Sequence, residues 1–215
     1  MTNITISLSE VLQKLKKVKI YKNNIDEVNQ FSNWKEFLNH EKATFWLYWY
    51  AKNVIKGRWS EAEKYIKKDP KIAYIYAKDI IKSRWPEAEE YIIKQLNFTC
   101  WYAEYVIKGR WLEAEEYIMK DPYWICWYAE YVIKDRWYEM EEFIKKEHPK
   151  WHYHYAKYVI KNRWYEAEEY IKKDSYQAYC YAKDVIKDRW IDAEECIMKN
   201  PKWAHYYTEN VIKDR

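Results

Sequence analysis

Apolar residues recur along this chain with a helical beat. Trp85, Ala88, Tyr91 and Ile92 fall on one helical face. After a break, Tyr102, Ala103, Val106 and Ile107 form a second such face. The same pair of faces returns with the motif Tyr-Ala-x-x-Val-Ile-Lys-x-Arg-Trp-x-Glu-Ala-Glu. Arginine-tryptophan pairs mark its phase at Trp59, Trp85, Trp111, Trp137, Trp164 and Trp190, 26 residues apart with one step of 27. A fixed period of this size signals stacked small modules, each completing its core against the next.

The punctuation agrees with that period. Pro86 suits a first helical position, and Glu87, Glu89 and Glu90 sit where a helix N-terminus favours negative charge. In the preceding copy Ser60 and Glu63 form a Ser-x-x-Glu pattern that would move the boundary by one residue. Asp69-Pro70, Asp121-Pro122, His148-Pro149 and Asn200-Pro201 mark the break between the two helices of a copy. The second helix is expected to end in a left-handed turn at Gly57, Ser83, Gly109, Asp135, Asn162, Asp188 and Asp214, a slot that holds both glycines of the chain. Helices of about ten residues, roughly 15 Å long, are marginal alone in water. They need the neighbouring copy.

These features predict an all-α fold: an α-solenoid of about seven two-helix repeats of about 26 residues, with an N-terminal cap. The expected segments are a cap over 1–33 and repeats over 34–58, 59–84, 85–110, 111–136, 137–163, 164–189 and 190–215. Within the cap, Ser7 to Lys17 reads as a short amphipathic helix with Leu8, Val11, Leu12 and Leu15 apolar. No comparable cap follows Val211 and Ile212, so self-association through that C-terminal face is an open expectation.

Composition narrows the class. Aromatic residues make up 20% of the 215, far too many for a disordered chain. A net charge of +4 is too small to argue for nucleic acid by itself. No secretory leader and no apolar run long enough for a membrane span is apparent, so a soluble, cytoplasmic protein is expected, with no membrane partner. The four cysteines lack any Cys-x-x-Cys spacing and read as small buried residues.

Candidate chemistry is sparse. The glutamate clusters recur in six copies, which suits dipole compensation and pairing with arginine better than one active site. Each arginine is expected across an aromatic face or bridged to a glutamate of an adjoining helix. The tryptophans are expected to wedge between modules. His148, His152 and His154 cluster, but no cysteine or carboxylate set completes a metal site. No catalytic residue, metal or cofactor is expected, and the chain reads as a non-enzyme.

The most suggestive pattern is a second stripe on the second helices, beside the core arc. It contains Trp101 and Tyr105, then Trp127 and Tyr131, then His154 and Tyr158, followed by Lys108, Lys134 and Lys161. These nine are the candidate binding residues. Three readings stay open: packing between modules, a surface for a protein or peptide, for which tyrosine and tryptophan are favoured anchors, or stacking of nucleotides or single-stranded nucleic acid edged by lysines. A repeat scaffold for a protein or peptide partner is the leading functional expectation. A protein that sequesters nucleotides or single-stranded nucleic acid is the alternative.

The string Lys82 to Ile92, Lys-Ser-Arg-Trp-Pro-Glu-Ala-Glu-Glu-Tyr-Ile, resembles uncharacterised tandem-repeat proteins of bacteriophages and large viruses. The resemblance covers about residues 34 to 215. It implies a viral or phage origin, a binding role toward a host factor, and thus the host cytoplasm. Only Trp85 is followed by proline; Ser60, Leu112, Tyr138, Tyr165 and Ile191 depart from that pattern.

If the tryptophans are wedges, Trp111→Ala should cost about 3–5 kcal/mol, as for a large buried aromatic. An unchanged denaturation midpoint would remove the wedge from the picture.

Overall fold

A computed structural model describes residues 4–16 and 31–213, and every element among them is helical. The chain forms two compact units, residues 1–108 and 109–215. The first holds α1 (Leu8–Lys16), α2 (Trp34–Asn39), α3 (Ala43–Tyr50), α4 (Ser60–Ile66), α5 (Pro70–Tyr76), α6 (Pro86–Ile92) and α7 (Leu96–Tyr102). The second holds α8 (Leu112–Ile118), α9 (Pro122–Tyr128), α10 (Tyr138–Glu147), α11 (His152–Tyr155), α12 (Tyr165–Ile171), α13 (Ser175–Tyr181), α14 (Ile191–Met198) and α15 (Pro201–Tyr207). Paired helices recur with a period of about 26 residues, the pattern of an α-solenoid.

Local chemistry sets the helix starts. Asp69, Asp121, Asp174 and Asn200 cap the second helices, each side chain accepting hydrogen bonds from backbone N–H groups of the first turn. The first helices start differently. Trp59 and Trp85 stand alike at the cap position without a side-chain cap bond. Ser60 is therefore the first helical residue, like Pro86, and the expected shift of boundary does not occur. The extra residue near His148 is absorbed by a longer α10 and one 3₁₀ turn, Pro149–Trp151.

The left-handed turn lies one residue earlier than expected. Each second helix widens into a π turn, as at Ala77–Ile81, whose last bond runs from Lys82 N–H to the Ala77 carbonyl at 2.7 Å. In six copies the lysine that makes this bond is left-handed, whereas Lys213, which bonds to Thr208 in the same way, is right-handed. Lys56, Lys82, Lys108, Lys134, Lys161 and Lys187 have φ between 57° and 61°, and neither glycine has positive φ. The expectation for the slot of Gly57 and Gly109 is thus corrected: the five-residue reach ends the helix before the glycine.

One hydrogen-bonded clip recurs in all six copies. Tyr102 Oη accepts from the Trp85 backbone N–H at 2.6 Å and donates to Glu89 Oε1 at 3.0 Å. Arg84 holds the same carboxylate through Nε and Nη2 at 2.9 and 2.7 Å. The equivalent tyrosines 76, 128, 155, 181 and 207 bond to Trp59, Trp111, Trp137, Trp164 and Trp190. The arginine thus bridges to the helix that directly follows it, not to an adjoining one. It also covers rings: Arg136 and Arg163 lie 4.9 and 4.8 Å from the centroids of Tyr138 and Tyr165. Arg58 is about half exposed, so the ion pair itself adds little stability. Its service is to fix the carboxylate that orients the tyrosine hydroxyl.

The same tyrosines join successive copies. The Tyr76 ring lies 5.2 Å from that of Trp85, and Tyr155 lies 5.1 Å from Trp164. Each opening tryptophan is buried, as are all the alanines of the Tyr-Ala pairs, whose small side chains permit close helix approach. The indole nitrogens of Trp59, Trp137, Trp164 and Trp190 have no hydrogen-bond partner among the described residues. These tryptophans serve by volume.

Helix α1 supplies an outside acceptor for the tyrosine of the first copy. Val11, Leu12 and Leu15 are buried, and Glu10 accepts from Tyr50 Oη at 2.9 Å. Glu10 thereby stands where Glu63 stands for Tyr76. Residues 1–3 and 17–30 of the expected cap, with Lys17 of the expected helix, and Asp214 of the expected turn slot lie outside the described residues.

Two expectations follow. Gly57 has ordinary φ and open space around a built Cβ. Gly57→Ala should therefore stabilise by about 0.4–1 kcal/mol; a destabilised variant would return the left-handed turn to the glycine. The clip tyrosines should also make stability alkali-sensitive. Burial, then Glu10, pushes Tyr50 up to about 12, and burial foremost does the same for Tyr207. Burial likewise raises Tyr76, Tyr102, Tyr155 and Tyr181. A raised folded pKa contributes stability that is complete below about pH 10 and lost as pH climbs through the folded value. Thermal midpoints should fall above pH 10, with the buried clip tyrosines' share of the tyrosinate absorbance appearing in the same step as helix loss. Full tyrosinate formation with helices intact would contradict this.

Candidate functional site

The second stripe lies on the α-helical and π-helical parts of the second helices, and each unit displays part of it. In the first unit Trp101 is half-buried, 5.6 Å from Phe98 and 6.1 Å from Tyr74, ring to ring. Tyr105 is exposed, with Lys78 Nζ 5.2 Å from its ring centroid. Lys108 is exposed at the left-handed end of its helix.

In the second unit Trp127 and Tyr131 pack with centroids 4.8 Å apart, and His154 and Tyr158 at 4.4 Å. All four line one open cavity of about 280 Å³. Tyr123, Cys126, Glu130 and Trp151 complete its lining. Lys134 and Lys161 do not line it; they project at the left-handed ends of their helices. The expected lysine edge is therefore absent from this cavity. Equivalent lysines do meet in the first unit, where Lys56 and Lys82 join Lys52, Asn53, Gly57, Asp79 and Ile80 around a separate cavity of about 400 Å³.

The stripe also carries links between copies that the sequence reading missed. Tyr48 Oη donates to Asp79 at 2.7 Å, and Lys52 pairs with the same carboxylate. Tyr153 and Lys157 do likewise with Asp184. Burial alone would raise the carboxyl of Asp184, but hydrogen bonds from Lys157 and Tyr153 outweigh it and leave it below its usual range. Asn210 donates to Tyr179 Oη in the last such link. Part of the stripe therefore packs between modules, one of the three readings left open. The signal was present: Tyr-x-x-x-Lys in one copy precedes Asp79 or Asp184 in the next, at the position that Tyr105, Tyr131 and Tyr158 hold in other copies, whereas Cys126-x-x-x-Glu130 precedes Tyr158.

That exchange accompanies the cavity, and Cys100 with Glu104 carries it as well. Tyr48, Tyr74, Tyr153 and Tyr179 occupy the position that Cys126 holds. A thiol there leaves the space of a phenol ring open between neighbouring helices. Burial, then Glu130, pushes the Cys126 thiol up to about 12, so it stays protonated and a poor nucleophile at neutral pH.

The histidines do separate work. His152 is buried, its Nε2 within 3.1 Å of the Ile144 carbonyl and 2.9 Å of that of Lys145. His148 packs edge-on to Phe143 at 4.7 Å. Among the described residues no group of three or more His, Cys, Asp or Glu is placed to hold a metal ion, and no cysteine is in a disulfide. No described helix is long and apolar enough to cross a membrane. Compared with protein families, with characterised proteins and with solved structures, the chain matches none.

Proposed function

We propose that this chain is a non-enzymatic repeat scaffold that binds a protein or peptide partner through the aromatic stripe of its second helices. One observation carries the reading: Trp127, Tyr131, His154 and Tyr158 converge on a single open cavity rather than on the core. Tyr131 and Tyr105 remain 41% and 48% exposed, so part of each ring is open to a partner. Tyrosine and tryptophan offer large contact area at low entropic cost, which is why they anchor interfaces. A viral or phage origin, with a host factor as partner, belongs to the same proposal through the Arg-Trp-Pro-Glu-Ala-Glu resemblance.

The nucleotide alternative is less well supported at this cavity, because its lining includes the carboxylate of Glu130 and no lysine. A displayed random-peptide library panned on the purified chain tests the proposal. Selected peptides should share a motif and lose at least about tenfold in affinity to Trp127→Ala, the size of a hot-spot loss above 1 kcal/mol. The variant must keep its helical signal. Absence of any enriched motif, together with salt-sensitive binding of oligonucleotides lost in Trp127→Ala, would replace the proposal with the nucleic-acid reading.

A further inference from the structure

The cavity of the second unit has the makings of a cation site, and the array supplies its own comparison. In the first unit Lys78 Nζ lies 5.6 Å from the Tyr74 centroid and 5.2 Å from that of Tyr105. An ammonium thus sits against two phenol faces contributed by successive second helices. The equivalent trio in the second unit is Cys126, Glu130 and Tyr158. There the lysine is replaced by an acid and one ring by a thiol. Other rings surround the space: Trp127 against Tyr131, and His154 against Tyr158.

Glu130 lines the cavity, and among the described residues no side-chain hydrogen bond or ion pair holds its carboxylate. A half-buried acid without a counter-charge, in an open cavity lined by aromatic rings, favours a positive guest by Coulomb attraction and by the ring quadrupoles together. Burial lowers the pKa of His154, so at neutral pH this wall adds a ring and no competing charge. Lys157, the nearest cation on the same helix, is held by Asp184 and lies 5.0 Å from the Tyr158 ring; it is not part of the lining. Tyr158 is therefore the weakest wall. The volume of about 280 Å³ suits a head group better than an extended ligand.

We propose that this cavity binds an alkylammonium head group, that of an N-methylated lysine side chain, with Trp127, Tyr131 and Tyr158 as π walls and Glu130 as counter-charge. The inference rests on the partner-binding reading for the source of the head group, but the cation site can be tested by itself.

Choline, its uncharged isostere 3,3-dimethylbutan-1-ol, and a short peptide with trimethyllysine or unmodified lysine are titrated into the full chain by calorimetry. Choline should bind saturably, and the isostere at least about tenfold more weakly, the factor for a cation–π gain above 1.4 kcal/mol. Glu130→Lys combined with Cys126→Tyr recreates the Tyr74, Lys78 and Tyr105 trio, a combination the fold already accommodates. This variant should keep its melting midpoint and lose choline binding. Equal affinity for choline and isostere, or binding that persists in the double variant, overturns the proposal. If choline binds as expected and the trimethyllysine peptide gains nothing over the unmodified one, the cation site stands and a small ammonium compound is its source. If selected library peptides bind while choline does not, the partner reading stands and the cation site falls.

Discussion

A tyrosine hydroxyl in the middle of each copy holds this structure in order. Placed under the first turn of a helix, it accepts the backbone N–H of the opening tryptophan and donates to a glutamate fixed by arginine. A buried N–H left without a partner costs about 1–3 kcal/mol, so one phenol oxygen settles a local debt of the backbone. Its ring meanwhile packs on the tryptophan that opens the following copy, as Tyr76 does on Trp85. Local satisfaction and propagation of the array therefore pass through the same side chain. This explains why four residue types recur together: arginine fixes the acid, the acid orients the phenol, the phenol caps the tryptophan nitrogen.

The clip frees other positions to vary. With the core arc filled by alanine, tyrosine and tryptophan, the neighbouring stripe need not carry stability in every copy. It divides between links and cavities. Where tyrosine and lysine meet an aspartate of the next copy, as at Tyr153, Lys157 and Asp184, the stripe is closed by polar bonds. Where Cys126 and Glu130 take those places, space opens beside rings. The linked and the open place thus differ at three positions on the same repeated backbone, which suits a scaffold whose specificity lies in a few copies.

The π turn at the end of each second helix has a similar economy. Widening the last turn sends the Lys134 N–H to the Ala129 carbonyl at 2.8 Å, and the lysine stands in left-handed backbone. The chain then re-enters the next first helix with Arg136 directed at Glu141, at 2.7 and 2.6 Å. Left-handed backbone is unfavourable for a residue with a Cβ. Its recurrence in six lysines indicates that the angle of re-entry, which the clip requires, outweighs that cost.

The sequence alone determined the helical class, the period and the positions of the breaks, because each copy repeats strong local signals: Asp-Pro, the alanine of Tyr-Ala, and the tryptophan beat. It placed Trp127, Tyr131, His154 and Tyr158 on one stripe, since helical spacing is local. The tertiary structure decided what local spacing cannot encode. It moved the left-handed turn from Gly57 to Lys56, the residue that closes a five-residue hydrogen bond. It assigned the arginines to the helix directly following them. It separated the stripe into linked and open places, according to whether the next copy offers Asp184 or Tyr158. Each of these depends on groups brought together across a turn or from a neighbouring helix, where distance in space replaces distance along the chain.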